Sequence, residues 1–119
     1  MSVGELYVSN ILESVKLSLG IPADHEEFDQ ILAIHINSVF SKLYQLGVGP
    51  DDQAFYIEDG SEDWDDFEYN EDINLVRSYM YLCVRLLFDP PTASLLTSLE
   101  KLKDEYEWRL NVAGMADEN

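Results

Sequence analysis

The side chains able to carry chemistry are few in this chain. Its only cysteine is Cys83 and its only histidines are His25 and His35. A covalent mechanism needs a cysteine or serine beside a base. Cys83 falls on the inward side of an apolar segment and reads as a small core hydrophobe. His35 sits mid-way along another apolar stripe and reads as a satisfied core histidine, while His25 lies among acids and reads as solvated. Two histidines ten residues apart plus one cysteine make no zinc spacing. The calcium-loop pattern of alternating Asp/Asn, a glycine and a glutamate at position twelve is also absent, so Asp63, Asp65 and Asp66 attract cations only loosely. Gly47-Val48-Gly49-Pro50 follows a helix and leads into a loop, the wrong context for a phosphate cradle. Carboxylates abound, but nothing singles out an acid–base pair, and a small helical bundle offers little cleft. The expectation is a non-enzymatic chain with no cofactor and no metal.

Four helices must position whatever else these residues do. Val8, Ile11, Leu12, Val15 and Leu19 share one helical face, ended by Gly20 and Pro22. A second helix is expected from an Asp24 cap, with Glu27 three residues on, to Leu46 before Gly47. Its apolar face (Phe28, Ile31, Leu32, His35, Ile36, Val39, Phe40, Leu43, Leu46) is wider than the ~100° stripe of a simple surface helix. An irregular stretch follows, with an extended Phe55-Tyr56-Ile57, an Asp59-Gly60 turn, and Trp64 and Phe67 on one helical turn pinned to the core by its rings. The third helix, from an Asn70 cap to Phe88, is apolar nearly all round and is therefore central. Its narrow polar strip carries Arg77, Tyr81 and Arg85 at successive i+4 steps. Asp89-Pro90-Pro91-Thr92 makes a corner. In the fourth helix Leu95, Leu99, Leu102, Tyr106 and Leu110 form one stripe, Glu105 and Arg109 an i,i+4 pair, and Trp108 points elsewhere. The fold class is all-α: a small bundle of four helices with an acidic irregular loop between helices 2 and 3. One domain spans 1–119, with 1–7 and 113–119 expected to be flexible, fraying from Gly114.

Charge narrows the function. The net charge is −17, with 7 basic against 24 acidic residues, and eleven of the acids lie in residues 51–72, where there is no base. Nucleic-acid binding by counterion release needs clustered Lys and Arg, and docking on anionic membranes needs the same. At 46% apolar content the chain is nevertheless no disordered acidic tail. A lone cysteine, no N-terminal signal pattern and no uncharged apolar span point to a soluble protein of a reducing cytoplasm. Residues 73–88, the best candidate for a span, contain Arg77 and Arg85.

Six blocks, in order, carry a family likeness. They are Phe28-Asp29-Gln30-Ile31-Leu32, Ile36-Asn37-Ser38-Val39-Phe40, Gln45-Leu46-Gly47-Val48-Gly49-Pro50, Trp64-Asp65-Asp66-Phe67, Leu86-Leu87-Phe88-Asp89-Pro90-Pro91 and Glu107-Trp108-Arg109-Leu110-Asn111. Over roughly residues 9–111 the sequence resembles the head–tail connector, or head-completion adaptor, proteins of long-tailed bacteriophages and related prophages. The resemblance implies a small helical protein without catalytic residues, made in the bacterial host cytoplasm and ending at the head–tail junction of the virion. It implies a homo-oligomeric ring, commonly of about a dozen copies, stacked under the portal protein and receiving a downstream tail-completion or stopper protein. DNA passes through the centre without sequence-specific binding, and no membrane is involved. The density of acid in 59–72 is where this chain departs from the pattern.

Candidate contacts to other subunits or partners are Trp64, Phe67, Arg77, Tyr81, Arg85, Trp108 and Arg109. Tryptophan and arginine are the residues that most often anchor interfaces. Arg77 and Arg85 have two readings, one pairing them within the protomer and one pairing them with the acidic segment of a neighbouring copy; Trp108 likewise is either covered by the N-terminal helix or serves as an interface anchor. Asp59, Glu62, Asp63, Asp65, Asp66 and Glu68 are candidates for the lumen or the ring's end surfaces, where a negative wall lets the duplex slide. The alternatives are an acidic DNA mimic that inhibits a DNA-binding enzyme, and an acidic regulatory module for a basic partner.

Overall fold

A computed structural model describes residues 8–67 and 72–117, with side chains described to Gly114. Four helices make up the regular structure: α1 (Ile11–Ser18), α2 (Asp29–Gln45), α3 (Ile73–Phe88) and α4 (Ala93–Asp117), with a short 3₁₀ turn at Trp64–Asp66. Among the described residues there is no strand, only an isolated antiparallel bridge between Asn10 and Asp63. The chain is all-α, and α3 is the central helix, packed against α1, α2 and α4.

Local chemistry sets the helix ends. Asn10 caps α1 by accepting from the Glu13 amide at 2.8 Å. At its other end Gly20 takes φ +79, so that Gly20 N–H reaches Leu17 O and Ile21 N–H reaches Lys16 O. The same 5→2 and 6→1 bonding closes α2 at Gly47 and Val48, with Gly47 at φ +83. Both left-handed glycines stand where the sequence suggests a stop.

The start of α2 differs from expectation. It begins at Asp29, five residues after Asp24, and has no side-chain cap at Phe28. The reason is Lys16, fully buried on α1, whose ammonium pairs with Asp29 at 2.8 Å and donates to Ala23 O at 2.9 Å. An unpaired charge cannot stay in the interior. Residues 20–28 therefore wrap the end of α1, and Asp29 opens α2, where a carboxylate also suits the helix dipole. Val8 likewise precedes α1 instead of lying on its face. The expected Asn70 cap lies outside the described residues; Asp72 caps α3, accepting from the Asn74 amide at 2.9 Å.

The core runs through Ile11 and Val15 of α1, Leu32, Ile36, Phe40 and Leu43 of α2, Val76, Tyr79, Met80 and Val84 of α3, and Leu110 of α4. Of the expected α2 face, Ile31 is exposed and His35 is half-buried. On α4, Leu95 is exposed and only Leu110 of the stripe is fully covered. The helix continues past Gly114, the position expected to begin the fray, and Gly114 is buried against the end of α2. A Cβ there would lie 2.6 Å from Leu46 O and 2.9 Å from Gly47 O, a close approach that only glycine permits.

Candidate functional site

The segment between α2 and α3 is irregular but closely bonded to the bundle. Asn37 on α2 exchanges two hydrogen bonds with Ile57: its Nδ2 donates to Ile57 O at 2.9 Å and its Oδ1 accepts from Ile57 N at 2.7 Å. Asn10 Nδ2 donates to Gly60 O, Ile11 N to Glu62 O and Trp64 N to Ser9 O. A side-chain amide can thus satisfy both backbone groups of one residue where the described residues offer no sheet to do so.

The acids of this segment serve the same end. Glu62 accepts from the backbone amides of Glu58 at 2.6 Å and Gly60 at 3.1 Å, and Asp66 accepts from Asp63 N at 2.9 Å. Asp59 accepts from both the amide and hydroxyl of Ser61, and these bonds hold its carboxyl below the usual range. Asp59, Asp65 and Asp66 are exposed, while Glu62 and Asp63 are half-buried. Glu68 lies outside the described residues.

The candidate contact residues divide by burial. Trp64 is 1% exposed and Phe67 is buried, both within an aromatic cluster with Phe40 and Phe55, and Trp64 Nε1 donates to Ser14 Oγ at 2.9 Å. Their rings are taken up inside the protomer. Arg77 is also engaged within its own chain: its guanidinium donates to Tyr81 Oη at 2.8 Å and Val8 O at 3.0 Å, and stacks over the Trp64 ring at 5.5 Å. Tyr81 is half-buried beside it. The Arg85 side chain is exposed and makes no hydrogen bond or ion pair among the described residues, its carbonyl alone accepting from Asp89 N. Trp108 is 68% exposed and Arg109 is exposed on the same helix.

On α4 the ion pair that forms is Lys103–Glu107 at 3.2 Å, not the expected Glu105–Arg109. Glu107 also accepts from the Tyr79 hydroxyl at 2.7 Å, which ties α4 to the central helix. Burial works to raise the Glu107 pKa, but the bonds from Tyr79 and Lys103 outweigh it and hold the carboxyl low. Burial also works against a charged Lys103, yet its bond to Glu107 holds the ammonium pKa high. The Tyr79 hydroxyl is pushed well above the usual phenol value by burial and by its Cys83 and Glu107 neighbours. Burial pushes the Cys83 thiol up to about 11, so it is no nucleophile at neutral pH.

These groups border a groove of about 340 Å³ between α2, α3 and α4, lined by the apolar Val39, Cys83, Leu86 and Leu87 and by Lys42 and Lys103. The sequence reading missed it, because the contributing residues are spread from Ser38 to Glu107 and converge only when three helices pack. Among the described residues no cluster of His, Cys, Asp or Glu could hold a metal ion. Likewise, no described helix is long and apolar enough to cross a membrane.

The fold is thus a small all-α bundle closed by its own irregular segment, with Leu87, Leu95, Trp108 and Val112 left outward on its last two helices. The phage connector protein family matches residues 11–117, and the chain belongs to that family. Its members are structural proteins of bacteriophages, not enzymes, and membership implies phage structural partners such as the portal. No curated protein and no solved structure matches the chain.

Proposed function

We propose that this connector assembles into a homo-oligomeric ring between the capsid portal and the tail, with the genome passing through its central channel. The observation that carries the reading is the family match across residues 11–117, essentially the whole described bundle. Surface chemistry supports it. Trp108, Val112, Leu95 and Leu87 are exposed on α3 and α4, more apolar area than the protomer covers by itself. A one-way contact between unlike patches closes into a ring when the rotation between copies is right.

The charge supports a passage and not a binding site. At −17, the protein offers the phosphates few cations with which to release counterions. In this reading the exposed Asp59, Asp65 and Asp66 face the lumen or the ring's ends. The DNA-mimic alternative needs carboxylates spaced freely like phosphates, whereas Asp59, Glu62 and Asp66 are bound to the loop's own amides and hydroxyls.

Electron microscopy of the purified protein, alone and with its portal, tests the proposal. The expected images are annular particles, coaxial with the portal when it is present. Solitary compact particles with the portal supplied would overturn it. Competition with DNA for a DNA-binding enzyme would favour the mimic.

A further inference from the structure

We propose that Trp108 of one copy seats in the α2–α3–α4 groove of the next copy, and that this contact joins adjacent subunits. The inference rests on the ring reading and adds to it a specific pair of surfaces. Three features of the two surfaces match. The first is polarity: the groove has an apolar lining of Val39, Cys83, Leu86 and Leu87, and Leu87 is 53% exposed in the protomer. Trp108, at 68% exposed, is the most exposed large apolar side chain among the described residues. The second is size: about 340 Å³ is near the lower end of small-ligand pockets, which is room for a single indole.

The third is charge. Lys42 and Lys103 are two of only seven basic residues in the chain, and both border this groove. On α4, Asp104 and Glu105 lie four and three residues before Trp108, and Val112 lies four after it; all three are exposed. A tryptophan flanked by carboxylates thus meets an apolar slot bordered by the exposed Lys42 ammonium, the Lys103 ammonium being already paired with Glu107. Such pairing fixes orientation and disfavours the wrong register. Glu107 faces the groove, and Trp108 is turned about 100° further round the helix. Knob and hole therefore lie on different faces of the same protomer. That is the arrangement of a heterologous contact, which leaves a free groove at one end and propagates.

The experiment uses the full chain assembled with its portal. Because Trp64 is buried, quenching of tryptophan fluorescence by acrylamide reads mainly Trp108. Assembly is expected to protect it. Trp108→Ala and, separately, Lys42→Glu are expected to raise the concentration needed for assembly by on the order of 30-fold, with helicity unchanged. Lys42 is exposed, so its reversal does not disturb the core. Combining Lys42→Glu with Glu105→Lys is expected to restore assembly. Rings that form normally from Trp108→Ala, or in which Trp108 stays open to quencher, would overturn this contact and leave the ring reading standing. A wild-type chain that never assembles on its portal would overturn the ring itself, and the contact with it.

Discussion

The irregular 54–67 segment and the α4 helix invert the usual association of regular structure with burial. The irregular segment has no extended secondary structure, yet it contributes Ile57, Trp64 and Phe67 to the core and is joined to α1 and α2 through Asn10 and Asn37. The helix α4 is the longest element, yet it leaves Leu95, Trp108 and Val112 to solvent. Hydrogen-bond accounting explains the contrast. A helix satisfies its own backbone and can stand partly clear of the core, whereas an irregular segment is held only if other groups satisfy its amides. The loop is thus committed to the bundle, while α4 keeps an apolar face in solvent.

The largest test of that division sets one tryptophan against the other. Trp64→Ala removes a fully buried ring and its bond to Ser14, and is expected to cost about 3–5 kcal/mol, a large share of a typical domain's stability. Trp108→Ala is expected to change protomer stability by no more than about 0.5 kcal/mol. Urea unfolding of the unassembled protein measures both, and equal losses would break the comparison.

The seam has a second test. Asn37→Ala strips partners from both the N–H and the C=O of buried Ile57, and is expected to cost about 2–3 kcal/mol. Asn37→Asp should retain the bond from Ile57 N and lose the one to Ile57 O, giving an intermediate midpoint. Where α4 meets the end of α2, Gly114→Ala sets two effects against each other. Alanine favours the helix by about 1 kcal/mol. The new methyl, however, would stand 2.6 Å from a backbone oxygen that has no easy way to move, and overpacking of this kind costs about 1–3 kcal/mol. The steric cost is expected to win by roughly 1 kcal/mol, read as a lower unfolding midpoint.

Periodicity made the helices and the central place of α3 legible, because an apolar surface nearly all round leaves a helix no other position. Gly20 and Gly47 marked two ends correctly for the same kind of local reason. Asp24 misled because a cap-like spacing is a local signal, and the tertiary demand of buried Lys16 for Asp29 overrode it. Arg77 and Arg85 look alike in sequence, both on one polar strip. Only the fold brings Val8 O and the Trp64 ring to Arg77 and leaves Arg85 outside. Trp108 departs from the α4 stripe, but only the fold decides that no N-terminal helix covers it, and the groove has no sequence signal at all. Lys42 and Lys103 are neighbours only through packing.

The smallest expected effect concerns the tie between α3 and α4. Glu107 has its folded pKa lowered, so the stability it contributes is fully present above its usual value of 4.5 and is lost as pH falls through the lower folded value. Lys103 has its folded pKa raised, so its contribution is present below 10.5 and fades only as pH rises past the folded value. The pair is therefore intact across neutral pH and fails on the acid side. Glu107→Gln keeps an acceptor for the Tyr79 hydroxyl and removes only the charge, so the loss at pH 7 is expected to be about 1 kcal/mol or less. The difference between wild type and this variant should shrink as pH falls below 4.5. A difference that stayed constant from pH 7 to pH 3 would mean that α4 is held by the hydrogen bond and its packing alone. The helix would then be fastened to α3 by Tyr79 and Leu110, and the Lys103 ammonium would be left to serve the groove.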